Sequence, residues 1–430
     1  MKEKLTEEFI INLSKKKQEP EWMLDFRLES FRTFKKLDNP NFGPELKIDF
    51  DEILYYKSTQ DSSKNSWDEI SKETKNTFCN LGVVDAEEKY LDGVTNQLES
   101  EVVYHKNKTD KDIIFMSTDD ALKKHPDLFK EYFNTLVKYD ENKYTALNGA
   151  VWSGGSFIYI PPHTKLDRPL QSYFRIETKS LGQFERTIII VDEGAELDYI
   201  EGCTARNYAS NSLHAGVVEI FVKENAICKY NTIQNWSNDV YNLVTKRAIV
   251  EKNGMMQWVD GNIGSGVTMK YPSCILAGDN SVGNSISIAY AKENQVLDAG
   301  AKMIHLGKNT KSNIVSKSIA SNGGISNYRG TTRICKNALN SKATIKCDTI
   351  LLDDISKSDT IPKNILENNS STLEHEATIS KVSAEKLFYL ESKGLNEDQA
   401  KEMLVMGFID DFKKELPMEY AVELNRLLKN

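Results

Sequence analysis

A short corner recurs along this chain at nearly constant spacing, and it limits the available folds more than any other feature. It consists of a charged residue, then Gly or Asn, then usually a small residue, ahead of a strand-like run. It occurs at Glu193-Gly194-Ala195, Glu224-Asn225-Ala226, Lys252-Asn253-Gly254, Asp279-Asn280-Ser281, Lys308-Asn309-Thr310 and Lys336-Asn337-Ala338. The middle residues lie 31, 28, 27, 29 and 28 apart. Gly and Asn tolerate the left-handed backbone of a tight corner. A corner repeated at this interval suits a β-solenoid, in which each coil buries its face only against its neighbours. A sandwich with regularly placed turns is the alternative that the pattern leaves open. Residues 181–360 hold 15 of the 23 glycines and one of the 10 prolines, Pro272. Runs such as 187–191, 216–222, 285–290 and 312–319 read as strands. No long helical pattern separates them, which disfavours a doubly wound α/β sheet.

The flanks differ from this centre. The expected division is a mixed helical region over 1–145, a β core over 146–382 and a helical domain over 383–430. Asp119 and Asp120 begin a helix where its dipole favours acids. Asn396 with Gln399 predicts an N-cap and capping box, after which Ala400, Met403, Leu404, Gly407 and Phe408 share a face. Pro417 suits the first turn of a last helix striped by Ala421, Leu424 and Leu428.

Composition excludes several classes of function. Lys and Arg number 55 against 63 Asp and Glu, a net charge of −8 that argues against a nucleic-acid protein. No apolar run approaches a membrane span, and the first residues lead into no signal-peptide core. The six cysteines, at 79, 203, 228, 274, 335 and 347, form no CxxC. Free thiols in a reducing, cytoplasmic setting are therefore expected. No P-loop, dinucleotide fingerprint, HExxH or GxSxG is present, so the chain is expected to be no enzyme with nucleotide hydrolysis of its own.

Two segments could carry chemistry. In the strand-like run 343–352, Ile345, Cys347, Thr349 and Leu351 share a face. Cys347 is either a small buried hydrophobe or a thiolate favoured by Lys346 and competent to take sulfur or iron. In Leu373-Glu374-His375-Glu376-Ala377 two acids flank a histidine. Extended backbone points Glu374 and Glu376 to one side and His375 to the other. Carboxylate, imidazole and thiolate are all competent iron ligands; a solvated strand end is the plain alternative. For Cys203, Cys228, Cys274 and Cys335 the pattern alone favours structural burial.

Taken in order, a series of segments resembles the SufB branch of the SufB/SufD family of iron–sulfur cluster assembly proteins. Glu19-Pro20-Glu21-Trp22-Met23-Leu24 opens it, followed by Gly154-Gly155-Ser156-Phe157 and Pro169-Leu170-Gln171-Ser172-Tyr173-Phe174-Arg175. Glu201-Gly202-Cys203-Thr204-Ala205, Leu213-His214-Ala215, Gln234-Asn235-Trp236 and Tyr271-Pro272-Ser273-Cys274 come next. Lys302-Met303-Ile304-His305, Asn327-Tyr328-Arg329-Gly330, Cys347-Asp348 and Leu373-Glu374-His375-Glu376-Ala377-Thr378 complete it. The likeness covers nearly the whole chain.

This resemblance implies a central right-handed parallel β-helix between an N-terminal helical region and a C-terminal helical domain. It implies a scaffold that builds a transient iron–sulfur cluster from iron and persulfide sulfur and passes it to carriers or apoproteins. A SufC-type ATPase would dock on the C-terminal helices, and a SufD-type paralogue or a second SufB copy would pair along the β-helix. A cysteine desulfurase and a sulfur-transfer protein would supply sulfur. Whether a reduced flavin takes part is left open. By the same resemblance Cys347 is the essential cysteine, Glu376 the favoured ligand with His375 beside it, and Glu374 a weaker candidate. Cys203 is implied as the sulfur entry, with Arg175, Gln234, Trp236 and Lys252 lining a route onward. Glu177 stands where some members carry Asn. Two other readings compete with the scaffold. One is a SufD-like structural partner, which Cys347 argues against. The other is a β-helix polysaccharide lyase or esterase, which would be secreted and centred on Asp clusters.

Overall fold

The recurring corners are corners of the folded chain. The structure, a computed structural model, describes residues 4–59, 63–80, 83–205 and 212–414. Gly194, Asn225, Asn253, Asn280 and Asn309 all take positive φ, from 56° to 63°. Successive corners stack: the Asn253 N–H donates to the Asp279 carbonyl at 2.9 Å and the Asn280 N–H to the Lys308 carbonyl at 2.8 Å. Side-chain amides extend the ladder, from Asn253 to Asn225 at 2.9 Å and from Asn280 to Asn253 at 3.0 Å. The last corner differs from expectation. Its left-handed residue is Asn340, not Asn337. A separate turn, in which the Ala338 N–H bonds the Cys335 carbonyl, delays the bend by three residues.

Between corners the chain climbs through a parallel β-solenoid with two sheets. One has ten strands, nine of which are parallel neighbours in chain order: Gly93–Leu98, Leu170–Ile176, Glu196–Ala205, Ile227–Trp236, Met255–Gly264, Val282–Ala291, Lys311–Ala320, Lys342–Leu351 and Thr372–Lys381. The facing sheet runs through Ser156–Ile160, Arg186–Val191, Val217–Val222, Val240–Val250, Ser273–Leu276, Lys302–His305 and Ile325–Ile334. Side chains at alternate positions point between the sheets, where Ile189, Val191, Val218, Ile220, Val250, Leu276 and Met303 are buried.

The two ends are unlike. At the N-terminal end the strands Glu101–Asn107 and Ile114–Ser117 pair antiparallel, each closing one sheet. The strand Gly93–Leu98 joins the first sheet in parallel, so residues ahead of 145 contribute to the β core. The expected boundary at 145/146 falls inside the helix Lys143–Val151. Helices Glu7–Lys17 and Glu21–Lys36 lie beside it, tied by the buried Arg27. Its guanidinium bonds Glu19 at 2.7 and 2.6 Å and the carbonyls of Ala150 and Trp152. At the other end the last strands, Thr360–Leu366 and Thr372–Lys381, are exposed along most of their length.

Beyond 383 the helices Ala384–Ser392, Glu397–Phe408 and Asp410–Lys413 follow. Asn396 and Gln399 form the expected capping box. The buried residues are Ala400, Val405, Ile409 and Phe412, while Met403 of the expected face is exposed. Val405, Ile409 and Phe412 share an apolar cluster with Ile288, Tyr290 and Ile319 of the first sheet. Lys317 reaches out from that sheet to the Phe408 carbonyl at 2.6 Å. The helix expected after Pro417, with Ala421, Leu424 and Leu428, lies outside the described residues. Among the described residues no helix is long and apolar enough to cross a membrane.

Candidate functional site

Register stacks the inward-facing side chains of the first sheet into columns that run along the solenoid. One column is Tyr199, Tyr230, Trp258, Ser285, Ile314, Ile345 and His375. Its neighbour is Glu201, Thr232, Asp260, Ser287, Ser316 and Cys347. A third starts Cys203, Gln234, Asn262. Cys347 therefore ends a line of polar groups that begins beside Cys203.

Residues of the facing sheet complete this interior line. Lys246 Nζ donates to Glu201 Oε1 at 2.9 Å and Lys270 Nζ to Asp260 Oδ1 at 2.9 Å, all four fully buried. Burial opposes the charge on Lys246, but Glu201 and Asp260 outweigh it and raise its pKa. Thr232 donates to Asp260 at 2.7 Å, and Ser287 to Ser316 at 3.2 Å. Asn242 donates to Gln234 Oε1 at 2.7 Å and accepts from His214 Nδ1 at 2.8 Å. The His214 ring lies 4.6 Å from that of Trp236. The Gln234 amide nitrogen and the Trp236 indole N–H are buried without a hydrogen-bond partner among the described residues.

Cys203 is fully buried in this line, packed with Phe174, Ile176 and Trp236. Burial and the carboxylates of Glu201 and Glu185 push its thiol pKa well up. Gln234 and Trp236 lie beside it as expected. Arg175 and Lys252 do not. Arg175 points to the outer face, bonding Glu177 at 2.7 Å and Thr204 at 3.0 Å, because its strand neighbours Phe174 and Ile176 take the inward positions. Glu177 neutralises it there. Lys252 sits on a corner, paired with Glu224 at 3.0 Å and mostly exposed. The inward lysines are Lys246 and Lys270, which the sequence reading missed. Alternation along Val240–Val250, which puts Lys246 on the same face as Val244, Ala248 and Val250, was the available signal for Lys246.

At the open end Cys347 Sγ lies 3.6 Å from His375 Nε2. His375 Nδ1 meets the Asn364 amide nitrogen at 3.0 Å, and the Tyr328 hydroxyl shares a hydrogen bond with the thiol. Cys347 is 2% exposed, and burial is the main cause that pushes its pKa up to about 12. Lys346 does not offset this. It points outward toward Asp348 at 3.9 Å, so the thiolate expected from Lys346 is not favoured in the isolated chain. Burial lowers the pKa of His375, favouring the neutral ring that binds metal.

Glu374 and Glu376 take the opposite, solvent face of the last strand. Glu376 is the register partner of Lys346, while Cys347 faces Ala377. The structure thus joins Cys347 to His375 and leaves the favoured ligand, Glu376, on the other side, because side chains alternate along a strand. No group of three or more His, Cys, Asp and Glu side chains that could hold a metal ion occurs among the described residues. Cys228 and Cys274 are buried in the apolar core, and all six cysteines are free.

The chain is thus a parallel β-solenoid whose polar interior line runs toward a thiol–imidazole pair. Residues 174–408 match the family described as SUF system FeS cluster assembly, SufBD core domain, and residues 12–172 match the SufBD protein N-terminal region. Relatives named iron–sulfur cluster assembly SufBD family proteins occur in Staphylococcus epidermidis, Staphylococcus saprophyticus and Staphylococcus aureus. Each is 56% identical over 429 residues, covering 99% of this chain and 92% of the relative. The chain belongs to the SufBD family of iron–sulfur cluster assembly proteins.

Proposed function

We propose that this chain is the scaffold subunit on which the cluster is built. The observation that carries this reading is the Cys347–His375 contact at 3.6 Å on the open end of the solenoid. A soft thiolate and a neutral imidazole are two ligands of an iron–sulfur cluster, and a cluster held by so few protein ligands is held loosely enough to be passed on. The remaining ligands come from a SufD-type paralogue or a second copy of this chain, paired at that open edge. Iron and the cluster are cargo rather than resident groups.

Sulfur enters at Cys203, delivered as persulfide by a cysteine desulfurase through a sulfur-transfer protein. Cys347 lies five strand spacings along the first sheet, about 24 Å at ~4.8 Å per strand. The two thiols cannot meet directly, so the interior line, with its Lys246–Glu201 and Lys270–Asp260 pairs, lies between the point of sulfur entry and Cys347. A SufC-type ATPase supplies nucleotide hydrolysis, which this chain lacks, and docks on the C-terminal helices. Cluster carriers or apoproteins receive the product. The work takes place in the cytoplasm and involves neither nucleic acid nor membrane.

Anaerobic reconstitution with iron, sulfide and the ATPase, read by absorption and Mössbauer spectra, tests the reading. Cys347→Ser should keep the fold and lose the cluster, since a hydroxyl is no substitute for a thiolate. A Cys347→Ser protein that assembles cluster at the parent yield refutes it.

A further inference from the structure

On the outer face of the second sheet lies a groove of about 550 Å³, lined in part by Lys246 of the interior line but not by Cys203 or Cys347. This volume is in the range of small-molecule sites. Its floor carries three donors at one register position of three successive strands. Arg247 is the partner of Ser273, and Ser273 the partner of Lys302. A guanidinium, a hydroxyl and an ammonium therefore follow one another at steps of about 4.8 Å.

Of the charged residues lining the groove, Lys143, Arg247 and Lys302 face the two acids Asp38 and Glu141, while Lys246 is paired inward with Glu201. Arg247 is met by Glu141 at 2.5 and 2.8 Å, which also fixes its plane. Lys302 has no carboxylate partner among the described residues, and its Nζ lies 5.5 Å from the Tyr271 ring centre. Burial and the neighbouring Arg247 lower its pKa, and Glu141 offsets this only in part. Lys143 also lines the groove, and it donates to the Leu37 carbonyl at 3.0 Å rather than to an acid. In a chain of net charge −8, two lysines of one groove that form no ion pair among the described residues are free to meet an anion. The walls are apolar: Met269, Tyr271, and Phe42 from the chain segment that crosses the sheet.

We propose that this groove binds a small molecule carrying a phosphate, which Lys302 and Ser273 hold beside the Arg247–Glu141 pair while its apolar body lies against Met269 and Tyr271. Lys302 supplies a point charge and Ser273 a hydroxyl donor, since both terminal nitrogens of Arg247 are engaged by Glu141.

Phenyl phosphate and inorganic phosphate, titrated into the full chain by calorimetry, are the probes. Phenyl phosphate should saturate a single site and bind about tenfold more tightly than inorganic phosphate, because it alone covers the apolar wall. Lys302→Met should weaken it about tenfold or more, while Lys302→Arg keeps most of the affinity. In the unsubstituted protein phenyl phosphate should slow acetylation of Lys302, read by peptide mass spectrometry. Equal affinity for the two probes overturns the apolar-body assignment and leaves a bare anion site. Absence of saturation by either probe, or parent affinity in a Lys302→Met protein with an intact circular dichroism spectrum, overturns the proposal. Should that variant fail to fold, the acetylation result decides, and an unprotected Lys302 overturns it.

Discussion

Cys347 is a thiol held in reserve by its surroundings. Burial drives its pKa up to about 12, so at neutral pH nearly all of it is protonated. Its folded pKa lies above the ordinary thiol value, so the native state binds more protons than the unfolded chain between about pH 9 and 12. Its contribution to stability is therefore complete below that window and is lost as pH rises through it. Iodoacetamide labelling at pH 8, mapped by mass spectrometry, should modify the exposed Cys79 well before Cys347. Adding the partner proteins should change the Cys347 rate. Equal rates at both cysteines in the isolated chain would show that the thiol is neither buried nor raised. The ligand roles are separable in the same way. His375→Ala should lower cluster content several-fold while subunit stoichiometry is kept, and Glu376→Ala should act mainly on pairing at the solvent face. Iron and sulfide analysis of both variants decides between them. Full cluster in His375→Ala with loss in Glu376→Ala would restore the assignment that the resemblance favours. Strand alternation predicted that the two side chains diverge. Which of them meets Cys347 was not legible, because that depends on pairing between strands 28 residues apart.

The corners and the C-terminal helices make their own predictions. Asn253 combines φ of 56° with ladder bonds to both neighbouring corners. Asn253→Ala should cost about 1–2 kcal/mol for the left-handed backbone, and Asn253→Gly distinctly less; thermal melts of the two variants compare them. A similar loss from both would place the stabilisation in the amide ladder instead. In the helices, exposure separates docking from folding. Phe388, Tyr389 and Met403 are 71%, 60% and 58% exposed, whereas Phe408 packs on the solenoid through Lys317. Phe388→Asp should leave the melting temperature within a few degrees and abolish co-purification of the ATPase. Phe408→Asp should destabilise the helix contact by about 2 kcal/mol. Unchanged ATPase capture by a folded Phe388→Asp protein removes that helix from the interface. The repeat and capping box were readable because local residues determine them. Which helical face the solenoid covers was not legible, because it is set by tertiary contact, with Val405 and Ile409 meeting Tyr290 and Ile319. The inward lysines were hidden for a related reason. Lys246 and Lys270 look like surface charges until Glu201 and Asp260 are brought across the interior to meet them.

At the scale of the whole molecule, stability in a solenoid is close to a sum of coil-to-neighbour terms. One end here is closed by antiparallel strands and N-terminal helices. The last coil is held from one side only, and it carries His375, while Cys347 lies one strand inward. Fraying therefore starts where the thiol and imidazole meet, and amide protons there exchange with solvent before those near Cys203 do. A neighbour adding a strand at that edge would slow the exchange and steady both side chains together. The same docking event that completes the ligand set would then also set how long the site stays shut.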